Sequence, residues 1–223
     1  WPDLFGSAEL SALTRVAAES NLDIAAAAAR IRQAEGAAQI AGANLFPDMS
    51  GGQGASRNLS PGTLRAAHPP FTRTATNNFN LGLSASYILD LFGRERLLAE
   101  TAQADAMAAS FDRETIALAT TASVSNLYFQ LLAAQDHRHF ALDNTRTAEQ
   151  VLEAIRARAD VGTATELDVA QQEGVLAAQR ASIPALDQAI AQNRNLLAVL
   201  TGATPESLTL KGGSLRALHT PFV

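Results

Sequence analysis

The sequence predicts a mainly α-helical chain with a small β part, built on long antiparallel coiled-coil helices. Three observations carry this. Alanine has the best intrinsic helix propensity and makes up about a fifth of the 223 residues, while aromatics are only 5%. The run from Arg94 to Val161 contains neither glycine nor proline. Residues 77–90 alternate apolar and small polar side chains with period two. Small side chains let helices approach closely, whereas a compact globule wants bulkier core residues. The alanine excess therefore favours long paired helices.

Composition narrows the function classes. Lys plus Arg is 17 and Asp plus Glu is 22, giving a net charge of −5. A mildly acidic chain lacks the basic patch that nucleic acid requires, and it is no polybasic membrane-surface binder. There is no cysteine, so disulfides and thiolate metal sites are excluded. The opening Trp1-Pro2-Asp3-Leu4-Phe5 has neither the basic nor the apolar region of a signal peptide. No stretch is an uninterrupted apolar run of the roughly 18 residues that a spanning helix needs.

The elements follow in order. Segment 7–20 reads as an amphipathic helix with Ser7 as N-cap, its apolar face formed by Leu10, Leu13, Val16 and Ala17, and its end at Asn21. Segment 22–45 is a second helix, stopped by Phe46-Pro47 because the residue before proline is pushed out of the α region. Residues 48–58, rich in Gly and Ser, read as a weakly signalled strand. Residues 59–76, with Pro61-Gly62 and Pro69-Pro70, read as an exposed loop. Segment 77–90 is the clearest strand. Phe79, Leu81, Leu83, Ala85 and Tyr87 share one face, and Asn78, Asn80, Gly82, Ser84 and Ser86 the other. On alternation alone a soluble sheet is the commoner explanation, although the length also suits a membrane strand.

An unbroken helix from Arg94 to Val161 would be on the order of 100 Å long, against an average of about 11–12 residues. Such a helix needs a partner helix along its length. The apolar pattern is heptad: Ala141, Ala148 and Ile155 form one row, and Thr145, Leu152 and Ala159 a second. Leu97, Ala104, Phe111 and Leu118 keep the same step, as do Ile183, Ile190 and Leu197, and Leu186, Asn193 and Leu200. Gly162 can take a left-handed C-cap. Thr165 with Asp168 makes a capping-box pattern, and Thr163 with Glu166 offers a second register. The result is a helical hairpin with an exposed tip, its second helix kinked by Pro184 and ended by Thr201-Gly202.

No catalytic or cofactor motif appears. His137 and His139 are two apart and point to different helix faces, while His68 and His219 lie in loop-like sequence, so no metal site is expected. Gly51-Gly52-Gln53-Gly54 has no lysine or following helix to hold phosphate, and reads as strand or turn. Arg156, Arg158 and Asp160 read as solvated helix charges.

Several local patterns, taken together, carry a resemblance. They are Leu4-Phe5-Gly6, Asn21-Leu22-Asp23-Ile24, Leu45-Phe46-Pro47, the junction Asp90-Leu91-Phe92-Gly93-Arg94, the tip Val161-Gly162 with Glu166-Leu167-Asp168-Val169, and the closing Asn195 to Gly202. The chain resembles the first structural repeat of the TolC family of outer-membrane efflux factors. The junction is similar to that of the branch coupled to resistance-nodulation-division pumps.

The resemblance implies an α-barrel built from the long helices and two strands of a transmembrane β-barrel. It implies a homotrimer in the outer membrane of a Gram-negative bacterium, reaching into the periplasm. The partners implied are a periplasmic adaptor, an inner-membrane pump and outer-membrane lipid, with no cofactor and no enzymatic activity. Phe79, Leu81, Leu83 and Tyr87 would face lipid, and Asn80, Ser84 and Ser86 the lumen. Gly162, Thr163, Thr165, Glu166 and Asp168 would form the adaptor-contact and gate tip, with Asp168 either a cap or a gate residue. A type I protein-secretion duct and a soluble coiled-coil scaffold are the rival functions. The implied parts are equatorial and first barrel helices at 1–47, strands at 48–90 around the loop 59–76, a long hairpin at 91–202 with its tip near 160–168, and a connector at 203–223. The whole of 1–223 is then a single repeat, with a second repeat and a lipid-anchoring segment expected outside it.

Overall fold

The computed structural model describes residues 2–60 and 74–218. Helix α1 spans Ala8–Ser20 and α2 Leu22–Ala43. Strands β1, Asp48–Ser60, and β2, Thr74–Ser86, follow. Helix α3 runs unbroken over the 67 residues Arg94–Asp160, and α4 over the 35 residues Glu166–Leu200. By contacts the chain divides into two compact units, Ile31–Ala108 and the remainder, Trp1–Arg30 with Ala109–Val223.

The larger unit has its main apolar core where α1 meets α3 and α4. Leu10, Leu13 and Ala17 of α1 pack with Val124, Tyr128, Leu131 and Leu132 of α3 and Leu197 of α4. Val16, expected on the same face, is 40% exposed. The buried stripe of α1 is Leu10, Leu13, Thr14 and Ala17, the i, i+3, i+4, i+7 pattern of one helix face. Thr14 joins it because its hydroxyl donates to the Leu10 carbonyl at 3.0 Å. An 18-residue window of α3 has a mean hydropathy of 1.3, enough by length and composition alone to cross a membrane. Its Val124, Tyr128, Leu131 and Leu132 are spent instead on this core.

Nearer the tip, α3 and α4 zip along the expected heptads. Ala141, Thr145, Ala148 and Leu152 are buried, and Leu152 and Ala148 meet Leu176 with Val169 beside them. Thr145 fits the seam because its hydroxyl returns to the Ala141 carbonyl at 2.8 Å. Three ion pairs cross the hairpin: Arg138 with Asp187, Arg180 with Glu149, and Arg156 with Glu173. Each is about half exposed, so each contributes about 0–1 kcal/mol. They fix register more than they stabilise. Pro184 lies inside α4, which continues on both sides of it, and its missing N–H leaves the Arg180 carbonyl without an i+4 donor.

The row Leu97, Ala104, Phe111 and Leu118 is not buried; all four residues are exposed. Within the smaller unit α3 turns Ala99 inward instead. Ala99, Gln103 and Ala106 line a groove with Glu35, Ala38 and Gly42 of α2. The heptad row therefore belongs to a face that no described residue covers.

Asn21 joins three helix ends. Its backbone N–H caps α1 at the Ala17 carbonyl, and its Oδ1 accepts from the N–H groups of Asp23 and Ile24 at the start of α2. Its Nδ2 donates to the Leu200 carbonyl at the end of α4, 2.9 Å away. Beside it Gly202 ends α4 at φ +66°. A Cβ there would lie 2.7 Å from the Ser20 carbonyl oxygen, so this position requires glycine on two counts.

Residues 203–218 are more than a connector. Leu208, Leu210 and Leu218 pack on the core, and the Lys211 N–H donates to Glu9. Asp136 accepts from the Ser214 hydroxyl and the Leu215 N–H. Composition gave no sign of this strap, because its anchors are scattered over α1 and α3.

Asn21→Ala removes the α2 cap and the bond to Leu200 together at a site only 4% exposed. We expect a loss of about 1–3 kcal/mol, read as a lower thermal unfolding midpoint. Asn21→Asp keeps an acceptor for α2 and should recover part of it. An unchanged midpoint in Asn21→Ala would show that this junction does not hold the helices.

Candidate functional site

Two regions hold the residues singled out from sequence: the α3–α4 tip and the strand pair. They lie in different units and are treated separately.

At the tip, α3 closes with a Schellman motif. Gly162 adopts φ +75°, its N–H donates to the Ala159 carbonyl, and the Thr163 N–H donates to the Arg158 carbonyl at 2.8 Å. The Thr163 hydroxyl bonds that same carbonyl at 3.0 Å. Helix α4 starts with a reciprocal capping box. The Asp168 N–H donates to the Thr165 hydroxyl oxygen at 3.2 Å, and Asp168 Oδ2 accepts from the Thr165 N–H at 2.8 Å. Of the two registers open in the sequence, the structure uses Thr165 with Asp168. Thr163 serves the end of α3 instead. The bonds from Thr165, backbone first and then hydroxyl, hold the Asp168 carboxyl below its ordinary value, with Arg158 adding to this. The tip thus brings Gly162, Thr163, Thr165 and Asp168 into one small set of caps. Glu166 is exposed in the first turn of α4. Val161 and Leu167, which the sequence reading passed over as site residues, are 73% and 66% exposed.

The strands form an antiparallel pair with Asp48 opposite Ser86 and Ser60 opposite Thr74. Both strands are therefore longer at the loop end than expected, taking residues 59–60 and 74–76 from the loop. Residues 61–73, with His68, and residues 219–223, with His219, lie outside the described residues. At the other end β2 stops at Ser86, so Tyr87, grouped with the strand from its alternation, lies just beyond it. The register explains the stop. Tyr87 would pair with Pro47, which has no N–H to give the ladder.

Alternation along the paired strands produces two unlike faces. Met49, Ala55 and Leu59 join Phe79, Leu81, Leu83 and Ala85 on one, which also carries Gln53 opposite Leu81 and Arg57 opposite Asn77. Ser50, Gly52, Gly54, Ser56 and Asn58 oppose Ser84, Gly82, Asn80, Asn78 and Thr76 on the other. The Ser50 and Ser84 hydroxyls bond at 2.7 Å across that small polar face. The apolar face is bare, with Leu81 88% exposed.

The junction after β2 is built on Asp90 and Gly93. Gly93 has φ +76°, its carbonyl accepts from Leu97 as the first bond of α3, and Asp90 Oδ2 accepts from the Arg96 N–H at 3.0 Å. Backbone N–H groups at this helix start, that of Arg96 foremost, hold the Asp90 carboxyl low. This gives a mechanical reason for the junction motif that sequence matching alone did not supply. His139 lies 3.4 Å from Asp143, one helical turn away, and His137 is exposed. Among the described residues no three His, Asp or Glu side chains are grouped to hold a metal.

The family model for outer membrane efflux proteins matches residues 13–203. The chain belongs to this family. The pyoverdine export outer membrane protein OpmQ of Pseudomonas putida is 36% identical over 226 residues, covering 100% of this chain and 48% of that protein. The toluene efflux pump outer membrane protein TtgC, also of Pseudomonas putida, is 30% identical over 202 residues, covering 91% and 41%. The solved outer-membrane channel OprN matches with a TM-score of 0.84 at 29% identity, over 99% of this chain and 49% of that one. The chain spans about half the length of the curated relatives it matches.

Because Asp168 titrates below its ordinary value of 3.8, its contribution to the tip is complete above that pH and is lost as pH falls through the depressed value. Hydrogen exchange of the first α4 amides should be independent of pH-linked opening near neutrality and show added opening only in acid. Thr165→Ala should open the same amides by about 1 kcal/mol at neutral pH. Equal protection in Thr165→Ala would mean that the capping box does not hold the tip.

Proposed function

We propose that the protein is the outer-membrane exit channel of a tripartite efflux system, passively conducting drugs or other small toxic solutes from the periplasm to the exterior. It works as a homotrimer with a periplasmic adaptor and an inner-membrane pump of the resistance-nodulation-division type. The observation that carries this is the strand pair. It has an apolar face left exposed in this chain and backed by a small polar face, an arrangement that supports a lipid-facing strand over the soluble sheet that alternation alone would favour. Lipid takes Phe79, Leu81 and Leu83; Asn80, Ser84 and Ser86 line the water-filled side; Tyr87, just below the ladder, takes the interface. The relatives support a passive duct, since one is named for pyoverdine export and another for toluene efflux. Such unlike cargoes suit an open lumen better than a selective pocket.

The tip is the adaptor-contact and gating end, with Gly162, Thr163, Thr165, Glu166 and Asp168 at its surface. The cap engages Asp168 through Oδ2, so Oδ1 is the oxygen offered to a neighbouring chain in the closed state. Capping and gating then coexist in one carboxylate.

Light scattering of the detergent-solubilised full-length protein should give a trimer; a water-soluble monomer or dimer would remove the barrel and leave a coiled-coil scaffold. Leu83→Arg should lower outer-membrane abundance, because a cation at mid-depth on a lipid face costs about 2–4 kcal/mol. Undiminished abundance would count against the facing assigned here. Asp168→Asn keeps an acceptor for the cap while discarding the charge. It should raise single-channel conductance and susceptibility to large antibiotics. If both stay at wild-type levels, Asp168 is a cap alone.

A further inference from the structure

Two residues of the strand pair are charged, Asp48 and Arg57. Asp48 begins β1 on the polar face, at the end from which the helices depart. Arg57 sits near the far end, two residues beyond Ala55 and opposite Asn77. Its parity is odd, so it shares the apolar face with Phe79, Leu81 and Leu83. It is exposed and has no ion pair among the described residues. The sequence offers none nearby either, since no Asp or Glu occurs between Asp48 and Asp90 in a chain that carries 22 of them.

A cation on a lipid-facing strand costs about 2–4 kcal/mol at mid-depth and about 0–1 at an interface. Its depth is therefore the question, and the ladder answers it. Ten residues separate Tyr87 from Asn77, roughly 34 Å along a strand and about 26 Å of depth at a tilt of about 40°. That matches an apolar band about 25 Å tall between two interfaces. The exposed aromatics Phe46 and Tyr87 stand at the helix end, where one aromatic girdle belongs. Placing them at the inner interface brings Arg57 and Asn77 to the outer one.

We infer that Arg57, with Asn77 across the ladder, is a binding point for the phosphate group of an outer-leaflet lipid. This rests on the barrel reading above. The guanidinium fork matches phosphate oxygens in a bidentate way, and the Asn77 amide supplies a further donor from the paired strand. An acidic residue on a neighbouring strand of the closed barrel is the competing partner for the same cation.

The test reconstitutes the full-length protein, wild type and Arg57→Gln, in phosphatidylcholine vesicles alone, with diphosphoryl lipid A, or with its dephosphorylated form. After detergent extraction, native mass spectrometry counts the retained lipid. Wild type should retain about fivefold more diphosphoryl lipid A than Arg57→Gln, the effect of one cation near an anionic surface. Arg57→Lys should lie between them, and the dephosphorylated lipid should show no difference. Equal retention by wild type and Arg57→Gln overturns the inference. So does a lowered trimer melting point for Arg57→Gln in phosphatidylcholine alone, which assigns Arg57 to a carboxylate on a neighbouring strand. If wild type inserts in none of the vesicles, the barrel reading fails with it. Normal insertion without lipid discrimination sinks only the lipid contact.

Discussion

A two-stranded sheet has two free edges. Along β1 and β2 every second backbone N–H and C=O points into the ladder, and the rest point to the open edges, where no strand pairs with them among the described residues. In water those groups would be solvated. Beside lipid each would cost several kcal/mol, so a membrane tolerates such a pair only when further strands close both edges. This constraint orders the rest of the structure. On the barrel reading proposed above, the strand pair needs neighbouring strands, and elements outside the membrane are suited to align them rigidly. Those elements are the helix ends on either side of it.

The local chemistry at those ends suits this need. Pro47 stops the ladder before β1, and Asp90 with Gly93 starts α3 within a few residues of the end of β2. Asn44 donates to Glu95 at 3.3 Å, linking the segment before β1 to the first turn of α3. Each device is short, and the Asp90–Gly93 junction engages backbone groups that a frayed helix start would leave open. The helix end of the strand pair is mechanically constrained, and the tightly specified Asp90–Arg94 junction reflects this.

Much of this was legible in the sequence, and the exceptions have physical reasons. Helix ends are readable because capping is local chemistry: as caps, Ser7, Asn21, Thr165, Gly162 and Gly202 act on atoms a few residues away, whereas the bond from Asn21 to Leu200 and the approach of Gly202 to Ser20 are long-range and carry no local signal. The Ala141–Leu152 seam was readable because heptads repeat. The row through Leu97 and Phe111 was equally periodic yet is exposed, since periodicity reports that a face is apolar and not what covers it. Tyr87 continued the alternation past the strand's end because pairing ends at a partner residue, Pro47, some forty residues away in sequence. The strap at 203–218 was invisible for the same reason, its anchors Glu9, Gln135 and Asp136 being distant along the chain.

The tip shows how local satisfaction shapes what can bind. The Schellman motif and the capping box engage the N–H groups of Gly162, Thr163, Thr165 and Asp168. A partner docking here therefore finds few of these backbone groups open. It meets side chains: Val161 and Leu167 as exposed apolar points, with Glu166, Arg158 and Asp160 around them. Apolar points ringed by charge give affinity from a small buried area and orientation from the rim. A tip built this way keeps its own shape when the partner leaves, because none of its hydrogen bonds depends on the contact. On the gating reading proposed above, opening would move the hairpin as a whole, because the α3–α4 seam of small residues and cross-hairpin ion pairs fixes the register of the two helices.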